Sequence, residues 1–133
     1  MRVVILGCGR VGARLAGMLD GAGHTVSVID RTLEAFERLP QSFGGLVVLG
    51  EGVDYDILKQ AGIAKADAFC TLSNDDNINI MASQVATKLF KVPRVITRIY
   101  DPVRQDTYTT LGLESICPTR VGVDRIEQLL GVE

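Results

Sequence analysis

Tryptophan is missing from the sequence, and phenylalanine and tyrosine bring the aromatic share to only 5%. A core must then be assembled from valine, isoleucine, leucine and alanine, the residues of a buried parallel sheet with helices laid on it. Cysteine is scarce too. Cys8, Cys70 and Cys117 are an odd, scattered set without a C-x-x-C pair, which argues against a disulfide framework and a zinc site. No apolar run approaches the ~18 residues of a membrane span. A net charge of −2 offers no basic field for nucleic acid or anionic lipid. A strand-like run starts at Arg2, leaving no room for a signal peptide, so the expectation is a cytoplasmic protein. The 133 residues fall short of a typical ~150-residue domain. A chain of this size still buries roughly two-thirds of its unfolded surface and needs no staple. Residues 1–133 read as one domain.

What is present alternates. Short apolar runs at Arg2–Leu6, Thr25–Ile29, Leu46–Leu49, Ala68–Leu72 and Arg94–Ile99 read as strands, with a short sixth at Ser115–Cys117. Between them lie helical patterns. Val11, Leu15, Met18 and Leu19 mark the first, stopped by Gly21 and Gly23. Thr32 is placed to cap a short helix that Pro40 closes. Asp54 caps another carrying Ile57, Leu58 and Ala61. The strongest rhythm is Ile78, Met81, Ala82, Val85, Ala86 and Leu89. Asp101-Pro102 opens a helix closed by Gly112. From about Arg120 the tail forms a last amphipathic helix with Val123, Ile126, Leu129 and Leu130. Strands alternating with helices imply an α/β fold: a doubly wound parallel sheet of about six strands in three α/β/α layers.

The chemistry gathers at strand ends. Gly7-Cys-Gly-Arg-Val-Gly12 follows a strand and opens a helix inside a βαβ unit. Gly7 permits the tight turn, Gly9 lets a pyrophosphate approach the backbone, and Gly12 lets helix and strand pack closely. The helix N-terminus then offers unpaired N–H groups to an anion. Asp30 ends the second strand about 20 residues on, where a carboxylate accepts hydrogen bonds from a ribose. Gly50, Glu51, Ser73, Asn74 and Arg98 complete a polar rim at the carboxyl ends of the sheet.

Each has a plainer reading. Arg10 reaches a phosphate or is a solvated surface residue. Arg98, charged in a β position, meets a ligand phosphate or an internal carboxylate. Arg31 invites a 2′-phosphate that Asp30 would repel, which disfavours NADP. Ser73 to Asp76 has capping-box spacing and also borders the rim. His24 falls at the opposite, amino-end edge of the sheet, where no general base reaches a substrate. No catalytic group, metal cluster or separate substrate pocket is visible.

With those residues in place the chain resembles the N-terminal nucleotide-binding lobe of the regulator of potassium conductance family, the Trk/Ktr-type potassium-uptake regulatory domain. The resemblance runs from GCGRVG at 7–12 through GEG and a following Asp at 50–54. It continues through ILKQAGIAKADAFCTLSNDDNINIMASQVA at 57–86 and ITRIYDP at 96–102. It implies a Rossmann-type domain serving as a cytoplasmic nucleotide-sensing subunit, peripheral to the inner face of the membrane. Its partners would be a potassium channel or transporter subunit and further copies of itself, in a homodimer or ring.

The resemblance also implies NAD(H), ATP, ADP or AMP as ligand. Gly7, Gly9, Arg10 and Val11 would surround phosphates, with Asp30 and Arg31 at the ribose. Gly50, Glu51, Ser73 and Asn74 would line the adenosine side, and Arg98 would reach a phosphate. Glu51 departs from the Gly-Asp pair often seen there. The last helix would cross toward a partner. Two rival readings stand beside this one: the cofactor half of an NAD-dependent oxidoreductase, and an assembly module that binds no nucleotide.

Overall fold

The apolar run Arg2–Leu6 forms β1, and its alternate side chains feed two separate cores. Val3 and Ile5 face one way, into Val26, Val28, Ala13 and Ala16. Val4 and Leu6 face the other, into Ile29, Leu58, Phe69, Ala82 and Ala86. Burying each such aliphatic side chain contributes about 1.5–3 kcal/mol, which is why the sheet is filled on both faces.

The computed structural model describes residues 1–132. After β1 come α1 (Arg10–Gly21), β2 (Thr25–Asp30), a 3-10 turn (Leu33–Arg38), β3 (Leu46–Leu49) and α2 (Tyr55–Gln60). A second 3-10 turn (Ile63–Lys65) leads to β4 (Ala68–Thr71), α3 (Asp76–Leu89) and β5 (Arg94–Arg98). Then follow α4 (Pro102–Thr110), β6 (Ser115–Ile116) and α5 (Pro118–Leu130). All strand pairs are parallel, in the order β3-β2-β1-β4-β5-β6. The order reverses between β1 and β4, and a crevice opens there beyond the carboxyl ends.

Several local expectations are corrected. The inner face of α1 is Gly12, Ala13 and Ala16, while Val11 and Met18 are exposed. Small residues let that helix lie close to the sheet, with Leu15 and Leu19 packed beside the contact and Val11 and Met18 outside it. In α3, Met81 and Leu89 point outward, and Asn79, Ile80 and Ser83 are buried in their place. The cap of α3 is Asp75, whose Oδ1 accepts from the N–H groups of Asn77 and Ile78, rather than Ser73. Thr32 makes no side-chain cap, and the segment after it is 3-10 rather than α-helical.

The tail helix begins at Pro118, earlier than Arg120, because proline suits a first helical position. No residue of α5 is buried. Arg120 ties its first turn to α4 through Asp106 at 2.7 Å and Gln105 at 2.9 Å.

Candidate functional site

The crevice between β1 and β4 is a cavity of about 640 Å³, within the usual ~300–1,000 Å³ of small-molecule sites. Gly7, Gly9, Arg10, Val11, Asp30, Arg31, Gly50, Glu51, Ser73, Asn74 and Arg98 all line it. Gly12 does not. A Cβ there would sit 1.8 Å from the Gly7 carbonyl oxygen, so this glycine serves the packing of α1 against the turn. Gly7 has φ +104°, and a Cβ on it would meet the Ser73 backbone nitrogen at 2.7 Å. Gly9 differs from both: nothing lies within 4 Å of its Cβ position.

The helices around the cavity differ in how their N-termini are served. Asp54, Asp75 and Asp101 cap α2, α3 and α4 with their own carboxylates. The N-cap of α1 is Gly9, which has no side chain to offer. The free N–H groups of its first turn therefore open onto the cavity, where the helix dipole favours an anion. A phosphate fits this cradle in both space and charge.

Asp30 is fixed before any ligand arrives. Its Oδ2 accepts from the Cys8 N–H at 2.9 Å and its Oδ1 from the Thr32 N–H at 2.9 Å. Each carboxylate oxygen keeps a lone pair for a further donor such as a sugar hydroxyl. The neighbouring Cys8 thiol is buried beside this carboxylate. Burial first and Asp30 second push its pKa up to about 11, with Arg38 offsetting part of the rise. The thiol stays protonated and is no nucleophile at neutral pH.

Among the described residues Arg98 meets no carboxylate. Its guanidinium lies 4.2 Å from the Tyr100 ring centroid, and its Nη1 approaches the Leu72 carbonyl at 3.4 Å. Its Nε is buried without a hydrogen-bond partner among the described residues. A buried donor without an acceptor costs free energy, while the Arg98 side chain as a whole borders the cavity. Asp76 accepts from the Tyr100 N–H at 2.9 Å, so the acidic pair after Asn74 organises backbone. His24 lies on a different cavity at the amino edge.

Among the lining residues outside the expected set, Arg38 and Tyr100 carry the groups best suited to meet a ligand. Arg38 closes the 3-10 turn after β2 and reaches the Cys8 carbonyl at 3.4 Å. Tyr100 follows β5 and carries the Arg98 guanidinium. Arg38 has no local motif, and Tyr100 lies inside ITRIYDP without being singled out there. An arginine at the end of the segment after β2 was the one available signal.

Residues 3–118 match the TrkA-N domain. The Trk system potassium uptake protein TrkA of Streptomyces coelicolor is 48% identical over 126 residues, which are 95% of this chain and 56% of that protein. A TrkA homolog of Methanothermobacter thermautotrophicus is 30% identical over 131 residues, 98% of this chain and 60% of its own length. The chain thus spans little more than half of these curated relatives.

Among solved structures, the GsuK channel bound to NAD has a TM-score of 0.80 at 27% identity, covering 98% of this chain and 23% of that one. GsuK bound to ADP gives a TM-score of 0.79 at 27% identity, covering 97% and 33%. These relatives are named as potassium uptake proteins and a channel, not as enzymes. The six-stranded parallel sheet, the glycine loop and the match across nearly its whole length agree: the chain belongs to the TrkA-N domain family.

Proposed function

We propose that this domain senses a nucleotide for a potassium transport system, binding NAD(H) or ATP, ADP or AMP in the crevice between β1 and β4. One observation carries the reading. The N-terminus of α1 is uncapped, faces the cavity, and has open space in front of Gly9. Phosphates would be held by the amides of the glycine loop, aided by Arg10, and a ribose by the spare lone pairs of Asp30. Arg31 stands nearby, and Gly50 and Glu51 border the same side. GsuK, similar at 27% identity, is described bound to NAD and to ADP, which favours a site tolerant of both classes.

The domain works without chemistry of its own. Nucleotide would bias one arrangement of a homo-oligomer over another, and it can do so only by its difference in affinity for the two. The exposed apolar side of α5, with Val123, Ile126, Leu129 and Leu130, would pair with another copy or a further lobe. The shift would pass to a membrane potassium channel or transporter subunit at the cytoplasmic face. No helix of the described residues is long and apolar enough to cross a membrane itself.

Titration calorimetry with NAD, NADH, ATP, ADP and AMP tests the reading, with saturable binding of at least one expected. No heat with any of the five would overturn it. Turnover of an alcohol or keto acid with NAD would instead favour the oxidoreductase alternative.

A further inference from the structure

One fully buried polar side chain outside the cavity holds two residues of its wall. Asn79 lies in the first turns of α3 with no exposure. Its Oδ1 accepts from the Ser73 N–H at 3.0 Å and from the Ser73 hydroxyl at 2.7 Å. Its Nδ2 donates to the Ser73 carbonyl at 2.9 Å and to the Arg98 carbonyl at 3.0 Å. An amide has two donor hydrogens and two acceptor lone pairs, and here all are used. The reverse amide orientation would set donors against the Ser73 N–H, so only one orientation fits.

Two consequences reach the cavity. First, the hydroxyl hydrogen of Ser73 is spent on Asn79, and the Asp75 N–H donates to its Oγ at 3.3 Å. What Ser73 has left is a lone pair, which takes a donor such as a sugar hydroxyl or an amine and repels a phosphate oxygen. Second, the Asn79 amide ties the Arg98 carbonyl at the end of β5 to the Ser73 carbonyl beyond the end of β4, so the Arg98 side chain enters the cavity wall from a backbone fixed beside Ser73. The far half of the cavity therefore pairs an acceptor at Ser73 with a donor at Arg98.

Ser83 supplies the contrast. One turn further along α3 it is equally buried and bonds Thr71 at 3.0 Å and Thr97 at 2.6 Å. Those partners sit within the strands, below the rim, so Ser83 ties the sheet to the helix without touching a lining residue.

We propose that Asn79 is a positioning residue that sets the hydrogen-bond polarity of the β4–β5 half of the cavity and makes it selective for the second, sugar-bearing half of a dinucleotide. The proposal rests on the nucleotide-binding reading above. It separates the two halves of the crevice: Asp30 and the glycine loop serve the first nucleotide, and Ser73 with Arg98 the second, which moves Ser73 away from the adenosine side that the family resemblance implies for it.

The test compares NADH and AMP binding across variants, with thermal melting alongside. Asn79→Asp keeps the size but loses both donors, so NADH affinity should fall about tenfold, the scale of one or two hydrogen bonds. AMP, confined to the Asp30 side, should bind within about twofold of the unaltered protein, well under one hydrogen bond. Ser83→Ala should lower the melting temperature and leave the ratio of the two affinities unchanged. Equal weakening of NADH and AMP by Asn79→Asp, or no weakening of either, overturns the proposal. Should that variant fail to fold, Ser73→Ala leaves Asn79 in the core and must reproduce the NADH-selective loss. An unchanged ratio there overturns the proposal as well. If the unaltered chain binds none of NAD, NADH, ATP, ADP and AMP, the nucleotide reading itself falls, and this proposal with it; binding of an adenine nucleotide without NADH overturns this proposal alone.

Discussion

The Cys8 amide donates to the Asp30 carboxylate at 2.9 Å, joining the glycine loop after β1 to the end of β2. The residue read as gripping a sugar is therefore also a brace for the loop read as holding phosphates. The two halves of the fingerprint are one hydrogen-bonded unit.

Removing that brace has a double effect. Asp30→Ala should weaken nucleotide binding by ~1–3 kcal/mol, since hydrogen bonds to a charged group are lost. It should also cost ~1 kcal/mol of stability, because the Cys8 and Thr32 amides lose their acceptor. Calorimetric titration and urea unfolding measure the two separately. Unchanged affinity would mean that Asp30 serves the loop alone.

The glycines of the loop should behave differently from one another. Gly12→Ala places a Cβ 1.8 Å from the Gly7 carbonyl oxygen and should cost ~3 kcal/mol or more. Gly9→Ala meets nothing within 4 Å and should cost at most ~1 kcal/mol, the scale of an N-cap change. Yet the added methyl occupies the space left for a phosphate, so nucleotide affinity should fall while the fold persists. Thermal melts paired with titrations separate these outcomes.

Cys8 should resist alkylation. With its pKa pushed up to about 11, roughly one thiol in a thousand is ionised at pH 8, and all three cysteines are buried. Iodoacetamide followed by mass spectrometry should label them only in denaturant. The sign for stability follows from the same shift. From pH 9, where an ordinary thiol ionises, to about pH 11, the unfolded chain releases a proton that the folded chain keeps. Stability should fall with rising pH across that window, as equilibrium unfolding would report.

The exposed side of α5 should govern self-association. Ile126→Asp removes an apolar side chain that is 58% exposed, so it should change fold stability by no more than ~0.5 kcal/mol. Sedimentation should show a shift toward smaller species. An unaltered mass would separate α5 from assembly.

Much of the fold was legible because parallel strands buried on both faces are continuous apolar runs, as in Arg2–Leu6 and Ala68–Thr71. Their ends, where Gly7, Asp30, Gly50, Ser73 and Arg98 stand, marked the crevice because ligand sites lie beyond carboxyl ends. What escaped was tertiary. Arg38 enters the cavity from the far end of the 3-10 segment after β2, and Tyr100 through its stacking on Arg98, contacts that no short motif encodes. Asn79, in a helix read by its apolar rhythm, was passed over because a buried amide is defined by partners up to 19 residues away. That same rhythm places Met81 and Leu89 inward, yet α3 buries Ile80, Asn79 and Ser83 instead.

The central claim is that amides at the start of α1 hold an anion while Asp30 holds the adjoining sugar. A crystal structure of the chain grown with excess NADH or ADP tests it most directly. The account predicts a phosphate against the amides of residues 9–11 and ribose hydroxyls on Asp30. A nucleotide bound elsewhere, or a crevice closed by the protein's own side chains, would contradict it.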